Sequence, residues 1–211
     1  MATKQHEKSR QTMLELMASA VELFGQRGYT ETTIAAITRH AGYSKGIFYR
    51  HWHSKDELFL KILEGKLHQY RRTRDRKLKE ADSLEEVLQI IWDFLESMVA
   101  DRNWAKVFLE FTVHAARNPE LRNQIRQRQY RLSETIFAEL VRPFVPPTFP
   151  AEKMAALNTA LFEGFMVHNA LESEVLRLHD VRDAAIAMAR SLAARGQGYP
   201  KGTPGDQECS P

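Results

Sequence analysis

Two short segments near the amino terminus decide the fold: TIAAITRHA over residues 33–41 and SKGIFYRHWHSK over residues 44–55. Each carries apolar residues at helical spacing, and Gly42 lies in the break between them. Two short amphipathic helices joined by a glycine-containing turn are typical of a helix-turn-helix. Thr33 and Ser44 begin the two segments, where a side-chain oxygen can accept a hydrogen bond from a backbone N–H of the first turn. The sequence therefore predicts a helix-turn-helix over these segments.

The second segment divides into an apolar face and a polar face. Phe48 and Trp52 are four residues apart, so on a helix they point the same way, and we expect them to face the core. The other side carries a lysine, a phenol, an arginine and an imidazole at positions 45, 49, 50 and 51. Such side chains suit DNA phosphates and base edges, although a merely solvated helix face has the same composition.

The flanking segments complete a larger pattern. Residues 9–29 place apolar side chains at helical spacing and carry Gly28, a typical helix C-cap, near their end. Ser54 and Glu57 form a capping box that begins another helix. With the motifs TT-x-x-x-I, AG, SKG, FY and SKDEL in register, residues 10–63 resemble the N-terminal domain of the TetR family of bacterial transcriptional regulators.

The resemblance implies a double-stranded DNA operator as partner and assigns DNA contacts to the helix-turn-helix. The stretch HWH over residues 51–53 departs from the family, which is less basic there, and this departure bears on the individual base contacts. Tyr49 and Lys55 are expected to contact phosphates, and Lys45 to donate to a guanine base edge. The expected DNA-binding residues are Thr33, Ser44, Lys45, Gly46, Ile47, Tyr49, Arg50, His51 and Lys55.

Composition and charge agree with a globular protein that binds DNA. The 211 residues are 43% hydrophobic and 27% charged, which is typical of a folded chain. Residues 1–80 hold 16 Lys and Arg against 9 Asp and Glu, whereas residues 81–211 hold 14 against 18. The basic part is the part with the helix-turn-helix, as an electrostatic footprint for DNA requires.

The sequence also predicts where the protein works. No apolar run approaches the roughly 18 residues of a membrane span, and the amino terminus is polar, so neither a membrane segment nor a signal peptide is expected. The single cysteine, Cys209, has no partner for an intrachain disulfide. Together these features favour a cytoplasmic protein without membrane contact.

The remainder of the chain is predicted to be helical. Helical periodicity recurs over residues 83–101, 103–118, 119–144, 152–173 and 181–194. The proline-rich PFVPPTFP over residues 143–150 is predicted to be an extended loop. Because no strand-like alternation occurs, the predicted fold is all-α: a three-helix DNA-binding domain joined by a long helix to a helical domain for ligand binding and dimerisation. The expected boundaries are residues 1–55, residues 56–195 and a disordered tail over residues 196–211.

Two features of the C-terminal half concern function. The resemblance implies a small, largely apolar effector, and an apolar pocket with a few polar groups is expected, although the same side chains would suit a packed core. The expected pocket residues are Trp92, Trp104, Phe108, Phe111, His114, Phe137, Phe162, Phe165, His168 and Asn169. The resemblance also implies a homodimer through the helices within residues 151–195. Ala156, Ala160 and Gly164 lie on one line there, which lets two helix backbones approach closely.

Three functions compete at this point. The favoured one is a ligand-responsive repressor that binds a palindromic operator as a dimer and is released by its effector. A ligand-independent or architectural DNA-binding regulator is the first alternative, and an all-helical enzyme using Glu110 and His114, which share a helix face, is the second. Because no nucleophile elbow, phosphate-binding loop or paired-cysteine motif occurs, and because His51 and His53 diverge on a helix, we expect no catalysis, cofactor or metal.

Overall fold

The computed structural model describes residues 2–99 and 102–195, and the regular structure in these ranges is helical, which confirms the predicted all-α fold. The helices are α1 (Ala2–Glu31), α2 (Ile34–His40), α3 (Lys45–Tyr49), α4 (Lys55–Leu78), α5 (Leu84–Val99), α6 (Arg102–Ala116), α7 (Pro119–Ile125), α8 (Arg131–Val141), α9 (Ala151–Ala170) and α10 (Leu178–Arg195). A π-helical turn (Arg126–Tyr130) connects α7 to α8, and a 3-10 turn (Arg142–Phe144) follows α8. None of the helices described is long and apolar enough to cross a membrane.

Side-chain caps fix the starts of α2 and α4. Thr33 accepts a hydrogen bond from the N–H of Ala36 at 3.1 Å, as predicted. Ser54 accepts one from the N–H of Glu57 at 3.0 Å. The Glu57 carboxylate accepts a bond from the N–H of His53 at 2.6 Å, one residue before the cap. The predicted capping box is therefore present, with its return bond displaced by one residue.

Several boundaries differ from those predicted. Helix α1 begins at Ala2, so the part of the expected N-terminal arm that the structure describes is helical. Gly28, with φ 78° and ψ 170°, interrupts α1 where a C-cap is predicted. The helix predicted over residues 119–144 is divided by the π-helical turn, which ends α7 at Ile125. The predicted disordered tail, with Cys209, lies outside the described residues.

Two hydrophobic clusters form the core. The first joins α1–α4 to α6 and α7 and includes Phe48 and Phe111. The second joins α5, α8, α9 and α10. Phe108 of α6 packs against both clusters. The first half of α4 packs in the first cluster with the helix-turn-helix, and Leu78 at the end of α4 packs against the second cluster. Helix α6 lies between the two clusters and contributes residues to both.

Candidate nucleic-acid interface, interdomain joint and cavity

The short helix α3 turns Phe48 inward and its polar residues outward, and Trp52, which follows α3, is buried beside Phe48. Phe48 is fully buried and Trp52 is 3% exposed, and their rings lie 5.5 Å apart. Tyr49, on the opposite side, is 52% exposed. The predicted two-faced helix is therefore present, because burial of two large aromatic side chains fixes which side of this single turn and a half meets water.

The predicted DNA-binding residues divide by exposure. Those that are exposed to solvent are Thr33, Ser44, Lys45, Gly46, Tyr49 and Arg50. Ser44 holds the N-cap position of α3 without a side-chain hydrogen bond. Ile47 is half-buried and packs against the first cluster, and the half-buried ring of His51 lies 5.4 Å from that of Trp52.

The side chain of Lys55 forms hydrogen bonds within the protein. Its ammonium donates to the carbonyls of Tyr29 at 2.6 Å, Thr32 at 2.8 Å and Thr30 at 3.3 Å. It also lies 4.2 Å from the centre of the Tyr29 ring, and burial lowers its pKa. Since an ammonium has three N–H bonds, these three carbonyls use its whole donor capacity, and Lys55 binds the end of α1. The phosphate contact of Lys55 stays a prediction.

Glu110 of α6 closes the same end of α1. One of its carboxylate oxygens accepts hydrogen bonds from the N–H groups of Tyr29 at 2.7 Å and Thr30 at 3.3 Å. The contact requires Gly28, because a Cβ at that position would lie 2.5 Å from Oε1 of Glu110. Glu110 therefore acts on α1 in the way that a capping carboxylate acts, but from a helix 81 residues away in sequence.

His114, one turn further along α6, contacts α4. Its Nε2 lies 3.1 Å from Oδ1 of Asp56, and the same oxygen accepts a hydrogen bond from the phenol of Tyr29. Burial, followed by the bond to Asp56, raises the pKa of Tyr29. We call this group of Gly28, Tyr29, Asp56, Glu110 and His114 the interdomain joint. Glu110 and His114 share a face of α6 that meets α1 and α4. No metal-binding cluster occurs among the residues that the structure describes.

A cavity of about 120 Å³ lies between α4, α5, α6, α8 and α9. Its apolar lining is formed by Leu67, Ile91, Phe94, Leu95, Phe108, Ile136, Phe137, Leu140, Ala155 and Phe162. Its polar lining is formed by Arg74, Tyr130, Ser133, Asn158, Thr159 and Glu163. A mainly apolar cavity with a few polar groups is typical of a small-molecule site.

Three of the ten expected pocket residues, Phe108, Phe137 and Phe162, line this cavity. Trp104 and Phe111 instead stack on Phe59 of α4, with ring centres 5.3 and 3.9 Å away, in the first cluster. The other residues that do not line the cavity are His114, Trp92, Phe165, His168 and Asn169. His114 belongs to the joint, Trp92 and Phe165 are buried in the second cluster, His168 is exposed and Asn169 is half-buried near the end of α9. These seven residues lie outside the lining of this cavity, because helical spacing identifies an apolar face without identifying what that face meets.

The polar cavity residues were missed by the sequence reasoning. The phenol of Tyr130 donates a hydrogen bond to Glu163, and burial raises the pKa of both groups. Asn158 is 3% exposed, its Nδ2 donates to the carbonyl of Met154 at 3.0 Å, and its Oδ1 has no hydrogen-bond partner among the described residues. A signal was available, because Asn158 lies at helical spacing with Ala155 and Phe162, on a face that a simple core would fill with apolar residues.

Comparisons with known proteins agree with this arrangement. Residues 16–62 match the model of bacterial regulatory proteins of the tetR family, and residues 83–195 match the C-terminal model of BetI-type transcriptional repressors. The HTH-type transcriptional regulator BetI of Brucella suis is 27% identical over 177 residues, which cover 83% of this chain and 85% of that protein.

Solved structures show the same fold. A transcriptional regulator from Rhodococcus sp. RHA1 has a TM-score of 0.70 at 20% identity, covering 89% of this chain and 99% of that one. FadR from Bacillus subtilis, in complex with stearoyl-CoA, has a TM-score of 0.68 at 16% identity, covering 83% of this chain and 96% of that one.

A helix-turn-helix with an outward polar face, joined to a helical domain, defines a DNA-binding transcriptional regulator. The chain belongs to the TetR family of bacterial transcriptional regulators, and its C-terminal domain is of the BetI repressor type. The members of this family are regulators rather than enzymes, which removes the catalytic alternative for Glu110 and His114.

Proposed function

We propose that the protein is a ligand-responsive repressor, which binds a palindromic operator as a homodimer and leaves it when a small effector fills the cavity. The observation that carries this proposal is the continuity of α4 and α6, since each helix holds residues of both the cavity and the interdomain joint. Leu67 and Phe108 line the cavity, and Asp56 and Glu110 lie in the joint on the same two helices. This continuity favours a ligand-responsive regulator over a ligand-independent one.

The DNA contacts are proposed for the outward side of the helix-turn-helix. Lys45 donates to a guanine edge, Tyr49 contacts a phosphate, and Thr33 and Arg50 flank them, since all four are exposed. Ser44 and Gly46 allow a close approach of the helix start to the duplex. Two such heads would enter successive major grooves about 34–36 Å apart, or a multiple of that distance.

The dimer is proposed to form through α9 and α10. The line of small residues Ala156, Ala160 and Gly164 is exposed, and Leu157 and Val167 beside it are 45% and 44% exposed. Gly164 has no atom within 4 Å of where a Cβ would lie, so a large side chain fits there within one subunit. Small and apolar residues that a monomer leaves exposed are typical of a helix-packing interface.

The effector is proposed to act by moving α4 and α6 against α1. FadR of Bacillus subtilis, a structural neighbour, carries stearoyl-CoA, which supports a ligand role for this domain. In one arrangement of α4 and α6 the two DNA-binding heads do not fit the operator. An effector that binds this arrangement more tightly shifts the population of the protein toward it. Coupling of about 1–3 kcal/mol would lower operator affinity roughly 5- to 150-fold.

Binding to duplexes selected from a random library tests the DNA assignment. Lys45→Ala is expected to lower the preference for the selected site over random DNA by about 1–3 kcal/mol. Tyr49→Phe is expected to weaken both to the same degree, because it loses a phosphate contact only. Lys79→Ala, which changes an exposed lysine at the end of α4, is the matched control and should change neither. An equal loss on both DNAs for Lys45→Ala would remove Lys45 from base reading.

Sedimentation velocity tests the dimer. Gly164→Arg is expected to give a monomer, whereas Gly65→Arg is expected to stay dimeric, since Gly65 is also an exposed helical glycine with open space around it but lies on α4. A dimeric Gly164→Arg protein would place the interface elsewhere.

A further inference from the structure

Two polar side chains of the cavity, Glu163 and Asn158, are hydrogen-bond acceptors that other groups do not fully satisfy within the described residues. Glu163 is a half-buried carboxyl whose hydrogen-bond partner within the described residues is the phenol of Tyr130. No cation among those residues pairs with Glu163. Asn158 contributes a second acceptor, Oδ1, which has no partner there either. The amide cannot be reversed without losing its bond to the carbonyl of Met154, so the acceptor stays available.

The cation that lines the cavity is already compensated. Arg74 donates two hydrogen bonds to Asp75, at 2.7 and 3.0 Å, and its side chain is 10% exposed. Its guanidinium also lies 5.6 Å from the centre of the Phe94 ring. An anionic ligand would have to compete with Asp75 for this group, whereas a cationic ligand would meet Glu163 without an ionic competitor among the described residues.

The shape of the backbone supports a binding role for this wall. The π-helical turn Arg126–Tyr130 interrupts the helix predicted over residues 119–144, and Tyr130 is its last residue. Such turns occur frequently at functional sites, because the extra residue changes the direction of a side chain. Here the turn leads directly to the phenol that contacts Glu163.

We propose that the cavity binds a protonated primary or secondary amine with an apolar body, using Glu163 as its counter-ion and Oδ1 of Asn158 as a second acceptor. The proposal rests on the cavity being the effector site. The aromatic side chains Phe108 and Phe162 line the same cavity, where they can contact the apolar body and attract a cation through their ring faces. Glu163 and the Oδ1 of Asn158 both accept hydrogen bonds, so the ligand has to supply N–H donors, which a quaternary ammonium does not have.

Calorimetric titration of the full-length protein with four ligands of equal chain length tests this proposal: hexylamine, hexyltrimethylammonium, 1-hexanol and hexanoate. Hexylamine is expected to bind about 10-fold more tightly than 1-hexanol, and hexanoate most weakly, since a charged hydrogen-bonded pair is stronger than a neutral one. Hexyltrimethylammonium is expected to be weaker than hexylamine. This series needs no variant, so it does not depend on how a substitution folds.

Two matched variants identify the counter-ion. Glu163→Gln is expected to lower hexylamine affinity about 10- to 100-fold and to leave 1-hexanol affinity unchanged. Tyr130→Phe keeps the carboxylate and removes its donor, so hexylamine affinity is expected to be retained or increased. The proposal is overturned if hexanoate, 1-hexanol or the quaternary ammonium matches hexylamine, if no ligand of the series binds, or if Glu163→Gln has no effect.

Operator release is measured separately, so that the two proposals can fail separately. If hexylamine binds through Glu163 but leaves the protein on DNA, the amine assignment stands and the ligand-responsive function fails. If hexanoate releases DNA and hexylamine does not bind, the amine assignment fails and the ligand-responsive function stands.

Discussion

The protein contains two tyrosine–carboxylate pairs that look alike and are surrounded differently. In the interdomain joint, Tyr29 donates to Asp56, and His114 lies on the same carboxylate. At the cavity, Tyr130 donates to Glu163. Beside this pair lie open space and the Oδ1 of Asn158, which has no partner in the part of the chain that the structure describes. The first pair belongs to a satisfied network and holds helices together, whereas the second leaves hydrogen-bonding capacity for a ligand.

Within the described residues, the interdomain joint contains more hydrogen bonds between its polar groups than the cavity does. At the end of α1, the N–H groups of Tyr29 and Thr30 donate to the carboxylate of Glu110. The carbonyls of the same segment accept hydrogen bonds from the ammonium of Lys55. The same kind of side-chain pair therefore has a structural role in the joint, where it belongs to a satisfied network, and is proposed to have a binding role at the cavity.

The largest expected effect is at Gly28. Gly28→Ala is expected to lower the free energy of unfolding by about 2–4 kcal/mol, because it strains a glycine-only conformation and displaces the Glu110 carboxylate. Gly65→Ala, in the exposed interior of α4, is the control and should raise stability by about 1 kcal/mol. Chemical denaturation at one protein concentration measures the free energy of unfolding of both variants. Similar free energies for Gly28→Ala and Gly65→Ala would mean that the joint is not tightly packed.

The next effect compares the two carboxylates directly. Asp56→Asn is expected to lower the free energy of unfolding by about 1–3 kcal/mol, because it removes the charge from a satisfied network. Glu163→Gln is expected to change it by less than about 0.5 kcal/mol or to raise it, because burial disfavours the charged form there. Both amides keep an acceptor for the phenol, and both exchange the second carboxylate oxygen for an NH2 donor, so the two substitutions are chemically matched. Equal losses in denaturation experiments would contradict the distinction between joint and cavity.

A smaller effect separates a structural lysine from a DNA-contacting one. Lys55→Met is expected to lower the free energy of unfolding by about 1–2 kcal/mol while the salt dependence of DNA binding stays unchanged. Lys45→Ala, on the exposed side of α3, is expected to leave stability within about 0.5 kcal/mol and to weaken DNA binding. Denaturation and salt-titrated DNA binding measure the pair. A flatter salt dependence for Lys55→Met would return Lys55 to the phosphate contacts.

The smallest effect is a pH dependence. Burial raises the pKa of Glu163 above its ordinary value of 4.5, so the folded protein holds this proton at pH values where the unfolded chain has lost it. The contribution of Glu163 to stability is therefore fully present below pH 4.5 and is lost as the pH rises through the raised pKa. The difference in unfolding free energy between the native protein and Glu163→Gln should fall over that range. A constant difference would contradict the effect of burial on this group.

The helix-turn-helix could be predicted closely from the sequence because its determinants are local. Phe48 and Trp52 lie one turn apart, and the cap of Thr33 reaches three residues ahead. Interactions of this range are the same whatever the rest of the chain does, so helical spacing and capping rules were sufficient.

The joint and the cavity could not be predicted in the same way. Glu110 meets Tyr29 across 81 residues, and Glu163 meets Tyr130 across 33. The sequence placed Glu110 and His114 on one helix face but did not show that α1 and α4 cover that face. Trp104 and Phe111 were assigned to a pocket for the same reason, since an aromatic side chain suits a core as well as a cavity wall.

By itself, the sequence determined an all-helical chain, the two faces of α3 and membership of the TetR family, because these follow from periodicity, capping and motifs within a few turns. Only the tertiary structure decided that Lys55 and Glu110 close the end of α1, and that Asn158 and Glu163 lie at a cavity. These assignments depend on which helices pack together, and packing sets the burial and the partners that determine what a polar side chain can do.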